Sequence, residues 1–116
     1  MNTPIIHPDA IEQFQRDGYL ILERCLSSAD VACLQRCCDE LLAAGQASVD
    51  AVSGSRPHKF LFDAARQKPE LDQINFGPLL AELCRQTLGP DVWHINDQYS
   101  YKDAWTGGTF GWHQDG

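Results

Sequence analysis

A histidine and a carboxylate near the end of the chain are the clearest candidates for chemistry in this sequence. His113 and Asp115 stand two residues apart in the run Trp112-His113-Gln114-Asp115. In an extended segment, residues two apart share a face at a spacing of roughly 6.6 Å. Both side chains could therefore bind one divalent metal through bonds of about 2.0–2.2 Å. The pair supplies two members of a 2-His-1-carboxylate triad, whose open positions suit non-haem iron(II) and oxygen chemistry. Taken alone, the triplet is weak evidence and favours two solvated polar residues beside a turn.

The segment before this pair alternates between apolar and polar residues, which is typical of a strand. The polar face of such a strand either meets solvent or lines a wet cavity, where its hydrogen-bonding groups would hold a small anionic ligand. The two faces are Trp93, Ile95, Tyr99 and Tyr101 on one side, with His94, Asn96, Gln98, Ser100 and Lys102 on the other. Asp97 is the one polar exception on the apolar side.

Two helices and a strand are predicted in the first 45 residues. Pro8 at the first position and Gly18 as terminator predict the first helix. The β-forming run at residues 19–23 predicts a strand directly after it. Ser27, with an acidic residue three positions later, predicts a capping-box start for a second, amphipathic helix that ends near Gly45. The apolar positions of this helix are Val31, Leu34, Cys38, Leu41 and Leu42.

The middle of the chain predicts a loop, a short extended piece and a third helix. Residues 47–57 lose periodicity and gain Ser, Gly and Pro, which favours a loop. Residues 58–62 are predicted to be extended. A helix is expected from Pro78 to Leu88, with Gly89-Pro90 closing it.

Composition excludes several classes of function. The net charge of −7 and the absence of a basic cluster exclude a nucleic-acid partner. The N-terminus shows neither a signal peptide nor an anchor, so we expect a cytoplasmic protein without a membrane partner. Five cysteines, an odd number without an export signal, do not indicate a disulfide framework. No ligand set completes a zinc site, so all five are expected to be buried as small hydrophobic residues, namely Cys25, Cys33, Cys37, Cys38 and Cys84.

Three separated motifs, in order, resemble the phytanoyl-CoA dioxygenase family of iron(II)- and 2-oxoglutarate-dependent oxygenases. The segment Phe14-Gln15-Arg16-Asp17-Gly18-Tyr19 resembles the F-x-x-D-G-Y signature of that family. The run from Asp97 to Lys102 is similar to its D-Q-x-x-x-K strand. The run from Trp112 to Asp115 is similar to its W-H-Q-D metal motif.

The resemblance implies a function and a set of site residues. It implies hydroxylation of an aliphatic C–H bond of a small molecule with O2, releasing succinate and CO2 from 2-oxoglutarate. His113 and Asp115 would be Fe(II) ligands, while Gln98 and Lys59 would contact 2-oxoglutarate or substrate. The identity of the substrate and the oligomeric state are not indicated.

The resemblance also implies an α+β fold, with N-terminal helices followed by the first strands of a jelly roll of the cupin type. We expect residues 1–116 to form a single partial domain, mainly helical over 1–90, with the first core strands at 91–116. The third iron ligand and the 2-oxoglutarate-binding arginine would lie beyond Gly116, and His94 is a poor substitute for that ligand. These residues alone are therefore expected to be inactive. The alternative is a non-catalytic remnant that serves as a binding or interaction module.

Overall fold

The computed structural model describes residues 6–50, 58–102, 104 and 111–114, which form helices around a small antiparallel sheet. This confirms the α+β class. The helices are α1 (Pro8–Asp17), α2 (Ser28–Ala43), α3 (Ala64–Gln67), α4 (Asp72–Asn75) and α5 (Pro78–Thr87), with a 3₁₀ turn at Pro69–Leu71. The strands are β1 (Ser48–Asp50), β2 (His58–Phe62) and β3 (Gln98–Tyr101).

The start and end signals predicted for the long helices are confirmed. Pro8 is the first residue of α1, and Gly18 ends it in the left-handed conformation with φ of 80°. A complete capping box begins α2. The Ser27 Oγ accepts a hydrogen bond from the Asp30 backbone N–H at 3.1 Å, and the Ser27 backbone N–H donates to the Asp30 carboxylate at 3.3 Å. The longest helix within the described ranges, α2, has 16 residues, and none there is long and apolar enough to cross a membrane.

The hydrophobic core lies between α2, one face of the sheet and the short helices that follow β2. It contains three cysteines of α2, which confirms their predicted burial, and Leu61 of β2. Tyr99 and Tyr101 of β3 pack against it. The buried members are Cys33, Cys37, Cys38, Leu41, Leu61, Ala64, Leu71 and Ile74.

Two thiols lie side by side in this core. The Sγ atoms of Cys33 and Cys37 are 4.0 Å apart, one helical turn from each other. Burial and the neighbouring Cys33 raise the pKa of the Cys37 thiol to about 11. The Cys37 thiol therefore stays protonated at neutral pH. Cys25 is exposed, so its predicted burial is wrong.

The sheet has strand order β1-β2-β3, with both pairs antiparallel. In the β2–β3 pair, Lys59 lies opposite Tyr101, Leu61 opposite Tyr99, and Phe62 opposite Gln98. Side chains alternate along a strand, and directly opposed residues share a face. Leu61 is in the core, so Tyr99 opposite it, and Tyr101 two residues later, also lie on the core side of the sheet. Phe62 and Gln98 lie on the other side.

Two sequence predictions about strands are wrong in part or entirely. Residues 19–22 form no regular structure, and Tyr19 and Ile21 are 58% and 71% exposed. The strand predicted over 92–102 is confirmed only from Gln98 onward, with Trp93 and Ile95 both 89% exposed rather than buried. A β-forming pattern needs a partner strand to complete its hydrogen bonds, and the described residues provide one only for β3.

Candidate functional site

His113, the first predicted metal ligand, makes a hydrogen bond to the backbone within its own segment. Its ring is exposed, and its Nδ1 lies 2.9 Å from the backbone carbonyl oxygen of Gly111. A carbonyl oxygen only accepts, so Nδ1 carries the proton and donates. In the tautomer that fits this hydrogen bond, the acceptor lone pair lies on Nε2, the atom that would bind a cation. Metal-binding histidines commonly use such a carbonyl partner. The role of His113 as a metal ligand stays a prediction.

Asp115, the second predicted ligand, lies outside the described residues. Within the described ranges, no three histidine, cysteine, aspartate or glutamate side chains are grouped so as to hold a metal. A centre at His113 therefore depends on Asp115 and on further donors. His94 packs edge-on against Phe76, with ring centroids 5.0 Å apart.

Gln98 begins β3 and is exposed on the face that points away from the core. Ser100 follows it on the same face and is also exposed. Phe62 lies directly across from Gln98 on β2, stacks on Phe60 with ring centroids 5.9 Å apart, and is 46% exposed. This face, which we call the open face, comprises the exposed Gln98, Ser100 and Phe62, together with Phe60, which is buried at 6% exposure. It places an amide and a hydroxyl beside an aromatic ring.

Lys59 lies on the opposite side of the sheet from the open face. Its cross-strand partner is Tyr101, and it is half-buried. Tyr101 packs against the core, where burial and the Cys38 thiol raise the pKa of its hydroxyl. The two residues predicted to contact 2-oxoglutarate are thus not brought together by the sheet. The sequence pattern shows how side chains alternate within one strand. Only the pairing of β2 with β3 shows which residues of the two strands share a face.

The sequence analysis assigned no role to two residues of this region, Phe62 and Asp97. The alternation of β3 did not identify Phe62, because a cross-strand neighbour depends on register. Asp97 did leave a signal, since it is the one polar residue on the apolar side of the pattern. Its carboxylate accepts a hydrogen bond from the Ala65 backbone N–H at 3.3 Å.

The open face and the metal motif both fall within a recognised family domain. The sequence profile described as phytanoyl-CoA dioxygenase (PhyH) matches residues 14–116. The chain belongs to the phytanoyl-CoA dioxygenase family. This confirms the resemblance carried by the three motifs, all of which lie within the matched range or begin with it.

Curated relatives of the family member described here are named ectoine dioxygenase. The protein of that name from Sphingopyxis alaskensis is 33% identical over 107 residues, covering 88% of this chain and 35% of the relative. The one from Bordetella parapertussis is 28% identical over 111 residues, covering 92% of this chain and 36% of the relative. The one from Stutzerimonas stutzeri is 26% identical over 118 residues, covering 98% of this chain and 39% of the relative. The chain therefore spans about a third of the length of these relatives. No solved structure matches it.

Proposed function

We propose that the protein is an Fe(II)- and 2-oxoglutarate-dependent dioxygenase that hydroxylates an aliphatic C–H bond of a small molecule. The reaction would consume O2 and release succinate and CO2. The observation that carries the proposal is the family match over residues 14–116, which runs through the His113-Gln114-Asp115 motif. The hydrogen bond from the His113 Nδ1 to the Gly111 carbonyl supports it, because metal-binding histidines commonly use such a carbonyl partner.

The proposed roles follow from the donor types and their positions. His113 and Asp115 would hold the iron, and the iron with 2-oxoglutarate supplies the oxidising chemistry when both are bound. Gln98 would donate its amide N–H groups to a ligand carboxylate on the open face, where Phe62 limits access of water. We also propose that the sheet forms the beginning of a jelly roll with the open face inward, and that residues 91–116 supply its first core strands.

The position of Lys59 makes it the weaker candidate for a ligand contact. It shares its side of the sheet with Tyr101, and β2 is the central strand, so the lysine would have to reach around a paired neighbour. Its contact with the 2-oxoglutarate carboxylate stays a prediction. Gln98 has the geometry that a ligand on the open face requires.

Ectoine is the first substrate to test, because it stands in the name of the matched relatives. The protein expressed from the complete open reading frame containing this sequence would be incubated with Fe(II), 2-oxoglutarate, O2 and ectoine. We expect succinate and a product heavier by one oxygen atom, detected by mass spectrometry. His113→Ala should abolish both, whereas His94→Ala should retain them. Absence of succinate formation with any small aliphatic substrate would refute the proposed function, while succinate formed without ectoine oxidation would refute only the substrate.

A further inference from the structure

Asp97 joins the start of β3 to the corner that follows β2. Its backbone carbonyl accepts a hydrogen bond from the Asp63 N–H at 2.9 Å, which continues the β2–β3 pairing by one residue. Its carboxylate accepts from the Ala65 N–H at 3.3 Å, across a sequence separation of 32 residues. One residue therefore accepts from two backbone donors of the same corner, those of Asp63 and Ala65.

That corner lacks the cap that its own sequence would normally supply. Asp63 is the N-cap residue of α3, yet its side chain makes no capping hydrogen bond. Its backbone is left-handed, with φ of 50°, a conformation in which aspartate is tolerated better than most residues. Ala64, the first residue of α3, is fully buried. The Asp97 carboxylate replaces the missing local cap, because it accepts from an N–H of the first helical turn.

We propose that Asp97 is a positioning residue, which locks β3 to the β2–α3 corner and thereby presents Gln98 on the open face. Gln98 is the next residue along the chain and lies opposite Phe62, one position before the corner. Because Asp97 is directed at the corner, the alternation of the strand turns Gln98 to the other side. This accounts for the single carboxylate in the apolar half of the alternating pattern. The consequence for turnover rests on the proposed function, whereas the lock itself does not.

The lock is tested by NMR on the isotope-labelled protein. A through-hydrogen-bond coupling between the Asp63 amide nitrogen and the Asp97 carbonyl carbon should be observed in the wild type without any substitution. Asp97→Ala should accelerate hydrogen exchange of the Ala65 amide about tenfold, since a hydrogen bond to a charged group is lost. Asp97→Asn keeps an acceptor oxygen and should stay within about threefold of wild type. The matched control is Asp91→Ala, an exposed carboxylate six residues earlier, which should leave the Ala65 amide unchanged.

Two results would overturn the lock. One is an Ala65 amide that exchanges equally in wild type and in Asp97→Ala. The other is the absence of the coupling between Asp63 and Asp97 in the wild type, a result that stands even if Asp97→Ala does not fold.

The functional consequence is measured separately in the oxygenase assay. Asp97→Ala should lower kcat/KM about tenfold. Asp97→Asn should recover most of that loss, because its side-chain oxygen can still accept the hydrogen bond from the Ala65 N–H and Asp97 is not proposed to contact a ligand. Equal loss in both variants would contradict the positioning role. If the wild type shows no turnover, the proposed function fails while the exchange measurement still decides the lock.

Discussion

Two adjacent residues of β2 provide a direct test of which side of the sheet is the core. Leu61 is 2% exposed and belongs to the buried cluster, whereas Phe62 is 46% exposed on the open face. Replacing each with alanine removes a large apolar side chain at neighbouring positions of the same strand. The assignment of Gln98 to a ligand-facing surface depends on this difference, because Gln98 shares its face with Phe62.

The magnitudes follow from burial. Leu61→Ala removes three carbon groups at about 0.8 kcal/mol each and leaves a cavity that adds to the cost. We therefore expect a loss of about 3 kcal/mol in the free energy of unfolding. Phe62 keeps nearly half of its surface in water, so Phe62→Ala should cost about 1.5 kcal/mol, which includes its stacking on Phe60. At about 4 °C per kcal/mol for a chain of this size, Tm should fall by about 12 °C and about 6 °C, respectively.

Urea denaturation followed by circular dichroism measures both losses on the 116-residue chain. The slope of the transition should be the same in the two variants, so that the midpoints report stability. Equal losses would show that Phe62 is packed as closely as Leu61, and a larger loss in Phe62→Ala would show that its side of the sheet is the more closely packed one. The proposed ligand surface would then be refuted together with the orientation of the sheet.

Three further results are expected. Ser27→Ala removes the capping box of α2 and should lower the free energy of unfolding by about 1 kcal/mol in the same denaturation assay; an unchanged midpoint would show that the cap is not formed. Burial raises the pKa of Cys37 to about 11, so the folded protein favours the neutral thiol. The stability that this group contributes is complete below the unfolded thiol pKa of about 8.5 and is lost as pH rises toward 11. Iodoacetamide at pH 8 should therefore modify the exposed Cys25 and leave Cys37 intact until the protein unfolds, and mass spectrometry that finds both modified at the same rate would contradict this. In the oxygenase assay, Gln98→Ala should raise the KM for 2-oxoglutarate or substrate about tenfold, more than Lys59→Ala, and the reverse order would place the ligand on the other face.

Local signals in the sequence predicted most of the helical framework. Pro8, Gly18 and the Ser27 capping box act within a few residues of one another, so their positions are sufficient to place α1 and α2. The short helices between residues 64 and 75 were not predicted. Each has only four residues, too few for a hydrophobic period, and the first is capped from Asp97, 32 residues away from its donor.

Strands and faces were less predictable because they depend on distant partners. Residues 19–22 have the composition of a strand but pair with none of the described strands. β1, at residues 48–50, lies in a segment predicted to be a loop, and it forms because β2 offers an antiparallel edge. His113 and Asp115 could be named as candidate metal ligands because the resemblance of the Trp112–Asp115 run to the family's metal motif supported their spacing. The separation of Gln98 from Lys59 required the register of β2 and β3.

The central claim is that His113 is an iron ligand of a 2-oxoglutarate-dependent oxygenase. The most direct measurement is anaerobic titration of the protein, expressed from its complete open reading frame, with Fe(II) and 2-oxoglutarate, followed by visible absorption. Binding of iron together with 2-oxoglutarate should produce a weak charge-transfer band that is lost in His113→Ala and retained in His94→Ala. A protein that binds both additives without the band, or a band unchanged by His113→Ala, would contradict the account.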